Sequence, residues 1–286
     1  MIAVTAANGQ LGRLILKQLA HLTGTPVRAL VRTPEKARDL ATAQVSVVKG
    51  DYNDPESLRS ALEGVERLVL ISGNDIGNRV PQHKAVIEAA KAAGVSFVVY
   101  TSVLKANSSD MILGAEHLPT EQALAESGLA HAILRNGWYL ENYDGTVQAA
   151  LAHGAVFGAA GDGLIAAAGR EDYAEAAAKV VAGDDVSSRT YELAGEPAFT
   201  LADLAAQLSE KTGRAIAYQN LSEAEYEKAL VGAGLPEGFA KAVADADRAA
   251  SQGALDSTSA DLRKLLGRPT LSLSDYIGGI LAKTGG

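Results

Sequence analysis

The first thirty-two residues constrain this chain more than any later stretch. Ile2 to Thr5 is a short apolar run, and Ala6-Ala7-Asn8-Gly9-Gln10-Leu11-Gly12 is a turn built from small residues. From Leu11 onward Leu14, Ile15, Leu19 and Leu22 recur at helical spacing, and Val27 to Val31 reads as a second strand. Strand, tight turn, helix and strand make a βαβ unit, whose first turn is where such folds hold a dinucleotide pyrophosphate. Gly9 and Gly12 let the backbone approach phosphate and the helix pack on the strand, while the opening N–H groups supply positive potential. The pattern usual for this turn is G-x-x-G-x-x-G, and position 6 is Ala, so an ordinary βα turn stays open on this segment alone.

The end of the second strand narrows the choice. A fold that selects NAD places Asp or Glu there for the ribose hydroxyls. Here the chain runs Val31-Arg32-Thr33-Pro34-Glu35-Lys36, and a permanently charged guanidinium suits the 2′-phosphate of NADP. Taken alone, Arg32 could be a solvated charge after a strand. Together with the turn upstream it favours NADP(H).

Composition sets limits on the rest. With 286 residues, 47% of them hydrophobic, the chain can bury a substantial core as one large domain or a large and a small one. A net charge of −8 without a dense basic run argues against nucleic acid or an anionic membrane as partner. The absence of cysteine excludes disulfides, thiol catalysis and thiolate metal sites. The 5 histidines are not arranged with carboxylates, so no metal is expected. The first residues read as a strand rather than a signal peptide and no apolar run reaches transmembrane length, so a cytoplasmic protein is expected.

Strands and helices continue to alternate. Val45–Val48, Arg67–Ser72, Ser96–Thr101 and Ala130–Leu134 read as strands. A helix capped by Asp54 with Pro55 at its first position, another over Pro81–Ala93 and part of one over Pro119–Ser127 lie between them. This rhythm predicts an α/β, Rossmann-type, doubly wound parallel sheet with ligands at the carboxyl ends of its strands. After Trp138 the rhythm loosens. Thr200 caps one predicted helix, and Ser222 with Glu225 forms a capping box on another. The expected division is an NADP-binding domain over residues 1–150 and a smaller, mostly helical substrate domain over 151–286. A helix near 170–182 and a strand near 190–194 are expected to return to the first.

The ordered segments resemble a known family. Thr5 to Gly12, Val31 to Ala37, Gly50-Asp51-Tyr52, Leu70-Ile71-Ser72-Gly73, Pro81-Gln82-His83 and Tyr100-Thr101-Ser102 are similar to the NmrA-like, atypical branch of the extended short-chain dehydrogenases. So is Leu134-Arg135-Asn136-Gly137-Trp138-Tyr139 with Glu141-Asn142, the most specific run. Within that branch the chain looks most like the bacterial type-2 NAD(P)H:quinone oxidoreductases, with the triphenylmethane-dye reductases a near second. The resemblance implies that Asn8, Gly9, Gln10 and Leu11 hold the pyrophosphate beside Ala6, that Arg32 meets the 2′-phosphate, and that Asp51 contacts the adenine. It further implies that Ser72, Gly73 and Asn74 border the ribose and nicotinamide, and that Asn136, Gly137, Trp138 and Glu141 border the nicotinamide end. Milder readings stay open: Asp51 as a turn cap and Trp138 as a core aromatic.

One departure bears on the chemistry. Ordinary short-chain dehydrogenases carry Tyr-x-x-x-Lys on the helix after the fifth strand, where Tyr supplies a proton. The matching place here reads His117-Leu118-Pro119-Thr120-Glu121. Hydride reduction of a quinone leaves a resonance-stabilised anion that water can protonate, whereas an alkoxide leans on a positioned acid. The missing dyad therefore favours a small aromatic or conjugated acceptor, stacked on Trp138 or Tyr139. His117 is either the acid in this site or a helix-start histidine bonding backbone or solvent. Ser102 is either a pocket hydroxyl or a turn hydroxyl. Three readings follow for the chain, expected as a monomer or homodimer: a quinone or dye reductase, a reductase of ketones, enones or imines, and an NADP-binding redox sensor with little turnover.

Overall fold

The computed structural model describes residues 1–284. The chain forms two compact units, the first made of 1–103, 116–136 and 171–191, the second of 104–115, 137–170 and 192–286. The chain crosses out of the first unit after its fifth strand and again after its sixth. Residues 104–115 and 137–150 therefore lie in the second unit instead of the first, where the sequence reading had put them.

The first unit is built on strands β1 (Ile2–Val4), β2 (Val27–Val31), β3 (Val45–Lys49), β4 (Arg67–Leu70), β5 (Phe97–Val103) and β6 (Ala130–Asn136). With β8 (Arg189–Leu193) they form a seven-stranded sheet in the order β3-β2-β1-β4-β5-β6-β8. Pairing from β3 through β6 is parallel, and the order reverses between β1 and β4. In such sheets ligands bind outside the strand ends at that reversal. Helices α1 (Gln10–Leu22), α2 (Pro55–Leu62), α3 (Arg79–Ala92), α4 (Ile112–Ser127) and α6 (Arg170–Ala182) connect the strands.

Local chemistry explains several of these elements. Asp54 caps α2 by accepting the Ser57 N–H at 3.2 Å, with Pro55 in the first turn, and Leu58, Ala61 and Leu62 form its buried stripe as expected. That stripe joins Leu30, Leu68, Leu70, Val86, Ile87, Val98 and Tyr100 in one core cluster. Each fully buried aliphatic side chain there contributes roughly 1.5–3 kcal/mol. Gly94 follows α3 at φ 75°, a left-handed position that stops the helix without a Cβ penalty.

The second unit holds α5 (Asp144–His153), β7 (Ala155–Gly158), α7 (Leu201–Thr212), β9 (Ala217–Asn220), α8 (Glu223–Gly232), α9 (Glu237–Ser251), α10 (Asp261–Leu266) and α11 (Leu273–Thr284). Strands β7 and β9 pair in parallel as a separate two-stranded sheet. Reciprocal capping boxes open α7, from Thr200 and Asp203, and α8, from Ser222 and Glu225.

Candidate functional site

The turn after β1 closes on itself. Gly9 N–H donates to the Ala6 carbonyl at 2.9 Å, and Ala7 N–H donates to Leu30 O on β2 at 3.1 Å. To make this bend Ala6 takes φ 46°, in the left-handed region where an alanine Cβ is strained. A Cβ at position 12 would sit 2.7 Å from Ala6 O and Ala7 Cα, so only glycine lets α1 pass this close to the turn. Helix α1 starts at Gln10 without a side-chain cap and without an acidic residue in its first turn. Its opening N–H groups therefore keep both their donors and their positive potential for an anion. Asn8, Gly9 and Gln10 are exposed there, and Leu11 is buried. Arg13, which the sequence reading passed over, reaches back from α1 to Asn8 Oδ1 and pairs with Asp39 at 2.5 Å.

Arg32 follows β2, is exposed and forms no ion pair among the described residues. Asp51 follows β3, and its Oδ1 accepts the Asn53 N–H at 3.0 Å while its own N–H donates to Ser57. That is the turn-cap geometry; its second carboxyl oxygen is not used by it.

Past β4 the backbone of Ser72 and Gly73 is held from three sides. Ser72 N–H donates to Thr101 Oγ1 at 2.9 Å, Gly73 N–H to His83 Nε2 at 2.9 Å, and Arg79 Nε donates to Gly73 O at 2.5 Å. Arg79 also pairs with Glu116 at 3.2 Å, and Glu116 accepts the Gly77 N–H. Asn74 is exposed at the end of this segment.

His117 lies inside α4 and not at a helix start, because α4 begins at Ile112 and runs through Pro119. Its ring is buried, with Nδ1 2.7 Å from the Tyr100 hydroxyl. Burial first, then the charges of Arg79 and His83, push its pKa down to about 3. A neutral ring hydrogen-bonded to a phenol is a poor acid at neutral pH. Ser102 is likewise committed: its hydroxyl donates to Glu121 at 2.5 Å, and Glu121 is held bidentately by Arg135 at 2.6 and 3.0 Å. Both positions of the absent dyad thus carry buried, partnered side chains.

Asn136 ends β6, buried and in register with Val103. In the second unit Gly137 N–H donates to Leu193 O at 2.8 Å, which fixes the chain just before Trp138. Trp138 is half-buried, and the Arg170 guanidinium lies 5.1 Å from the centre of the Tyr139 ring. Glu141 accepts the Arg170 N–H at 2.9 and 3.0 Å through both oxygens, so it caps α6. No group of residues arranged to hold a metal ion occurs among the described residues.

Comparison with known proteins places this geometry. The NAD(P)H-binding family profile matches residues 6–184. The chain belongs to the NAD(P)H-binding family. Quinone oxidoreductase 2 of Escherichia coli strain K12 is 49% identical over 278 residues, 97% of each chain. A crystal structure of the NADPH-dependent quinone oxidoreductase of Escherichia coli complexed with NADPH superposes with a TM-score of 0.95 at 48% identity, covering 98% of this chain and 100% of that one. The Citrobacter triphenylmethane reductase complexed with NADP(H) gives 0.93 at 37% identity, covering 98% and 100%.

The residues present fit the family's cofactor. An uncapped helix start beside Gly12 suits a pyrophosphate, and an exposed Arg32 at the end of β2 suits a ribose phosphate. Sequence reasoning missed Glu121 and Arg135 as a buried ion pair behind Ser102. The signal was present in part, since Arg135 is a charge directly after the apolar run Ala132-Ile133-Leu134, which demands a partner.

Proposed function

We infer that this protein is an NADPH-dependent quinone reductase. The reading is carried by its end-to-end likeness to the Escherichia coli quinone oxidoreductase, a protein whose structure binds NADPH. NADPH, when bound, supplies a hydride to the acceptor. On this reading the N–H groups opening α1, with Asn8 and Gln10, bind the pyrophosphate, and Arg32 holds the 2′-phosphate. Asp51 faces the adenine, and Ser72, Gly73 and Asn74 border the ribose. Asn136, Gly137 and Trp138 orient the nicotinamide end, and Trp138 and Tyr139 provide aromatic surface for the acceptor. Positioning supplies most of the rate enhancement. The proton comes from water, because a quinone reduced by hydride becomes a delocalised anion and His117 is neutral and bonded to Tyr100.

The test is NADPH oxidation against a panel of quinones, triphenylmethane dyes and simple ketones, repeated with NADH. Fastest turnover with NADPH and quinones is expected. Faster turnover of ketones would contradict the acceptor class, and tight NADPH retention with no turnover would favour a sensor.

A further inference from the structure

Among the described residues, His83 is the one buried imidazole of the first unit that touches the backbone of a proposed cofactor segment. It stands on α3, fully buried between the rings of Tyr52 and Tyr100, whose centres lie 6.1 and 5.5 Å away edge-on. Its hydrogen bonds fix its tautomer. The Gly73 N–H can only donate, so Nε2 must offer its lone pair and the ring proton must sit on Nδ1. Nδ1–H donates to Thr120 Oγ1 at 2.9 Å, and the Thr120 hydroxyl is in turn directed at Glu116 O, 3.5 Å away. A chain of donors therefore runs from the Gly73 backbone through His83 into α4.

The segment that His83 holds has little else to define it. Ser72 and Gly73 lie beyond the last paired residue of β4, so no sheet ladder sets their orientation. Side chains replace the ladder: Thr101 takes the Ser72 N–H, His83 takes the Gly73 N–H, and Arg79 donates to the Gly73 carbonyl. Of these only His83 determines where the Gly73 N–H points. The imidazole is also kept neutral, since burial and the Arg79 charge lower its pKa to about 4. An acceptor that does not titrate in the working range gives a permanent backbone geometry.

We propose that His83 is a positioning residue for the cofactor, its Nε2 setting the backbone of Ser72–Asn74 so that the segment is formed before NADPH arrives. The proposal rests on the cofactor reading given above. A pre-formed segment spares the cofactor the ordering of that backbone, and its loss appears as weaker binding. A role in stability alone makes a different forecast, because then any substitution that lowers stability equally lowers affinity equally.

Two amide substitutions separate these cases. His83→Gln keeps a polar group where Nε2 stands, and His83→Asn keeps one only where Nδ1 stands. NADPH dissociation constants and melting temperatures are measured for both and for the wild-type protein. His83→Asn is expected to weaken NADPH about tenfold, the worth of one net hydrogen bond, while His83→Gln stays within about threefold of wild type at a comparable melting temperature. Equal affinity losses that track the melting temperature, or the reverse order, would overturn the proposal. Should neither variant fold, nitrogen-15 NMR of the wild-type histidines decides. The proposal requires a proton on Nδ1 of His83 and an Nε2 that accepts a hydrogen bond both before and after NADPH is added; a proton on Nε2, or an Nε2 that becomes an acceptor only once NADPH is bound, would overturn it. Wild-type protein that does not bind NADPH at all would sink the cofactor reading, and this proposal with it.

Discussion

The turn that opens α1 and the inner face of α4 treat their polar groups in opposite ways. The turn is left open to solvent: α1 has no side-chain cap, Arg32 has no ion pair among the described residues, and Asn8, Gly9 and Gln10 are exposed. Along α4 each polar side chain facing the sheet is buried and bonded, His117 to Tyr100, Thr120 to His83 and Glu121 to Ser102 and Arg135. Uncommitted donors await a ligand, whereas committed ones cost too much to disengage at each turnover. The face of α4 that matches the dyad of ordinary short-chain dehydrogenases carries buried, bonded side chains here, and the proposed cofactor residues stand at the strand ends.

The largest effect should come from breaking the buried ion pair. Glu121→Ala strips the buried Arg135 guanidinium of its carboxylate, which should cost roughly 3–5 kcal/mol in denaturant unfolding. A loss below about 1 kcal/mol would show that the pair is loosely held or solvated.

A buried carboxylate lacking such a partner sharpens the point. In the second unit Asp247 accepts the Ala159 N–H at 2.9 Å but pairs with no cation among the described residues. Burial raises its pKa from 3.8 to about 6. Its contribution is therefore fully present below the unfolded value and is lost as pH rises through about 6. Asp247→Asn should gain stability over wild type as pH rises from 4 to 7.5, by up to about 3 kcal/mol, with no gain at the acid end. Melting curves at the two pH values check this, and an equal change at both would remove the titration argument.

At the open end the effects are on binding. Arg32→Ala should weaken NADPH about tenfold to a hundredfold, the loss of one charge-assisted hydrogen bond, and leave NADH nearly unchanged. Equal losses in titrations with both cofactors would mean that Arg32 acts through general charge.

The smallest effect concerns Ala6. At φ 46° an alanine is strained, so Ala6→Gly should raise stability by about 1 kcal/mol or less, the relief being partly offset by glycine's freedom in the unfolded chain. Lower stability would mean that packing of the methyl group outweighs the strain.

Much of this was written locally in the chain. The β1-α1-β2 unit, the Asp54-Pro55 start of α2 and the capping box at Ser222 depend on neighbours within a few residues, and spacing alone reveals them. The start of α4 was not legible, since Gly114 and Pro119 read as breaks although the helix runs through both. Nor was the burial of His117 and Glu121, whose partners Tyr100, Ser102 and Arg135 come from strands distant in sequence. The boundary near residue 137 was hidden for the same reason: Gly137 is bound by Leu193, more than fifty positions on. Of the expected site, the turn and Arg32 could be read from local pattern, but the commitment of Ser102 and the capping of α6 by Glu141 required the fold.

The claim that most needs testing is that α4 supplies no proton to the acceptor. His117→Asn keeps an amide where Nδ1 meets Tyr100 and removes the titratable ring. Quinone-dependent NADPH oxidation by this variant, measured beside wild type with matched fold and NADPH affinity, tests it directly. A turnover number within about tenfold of wild type is predicted, well short of the hundredfold or greater loss that follows removal of a general acid. A collapse of a hundredfold or more would contradict the account and return His117 to the role of proton donor.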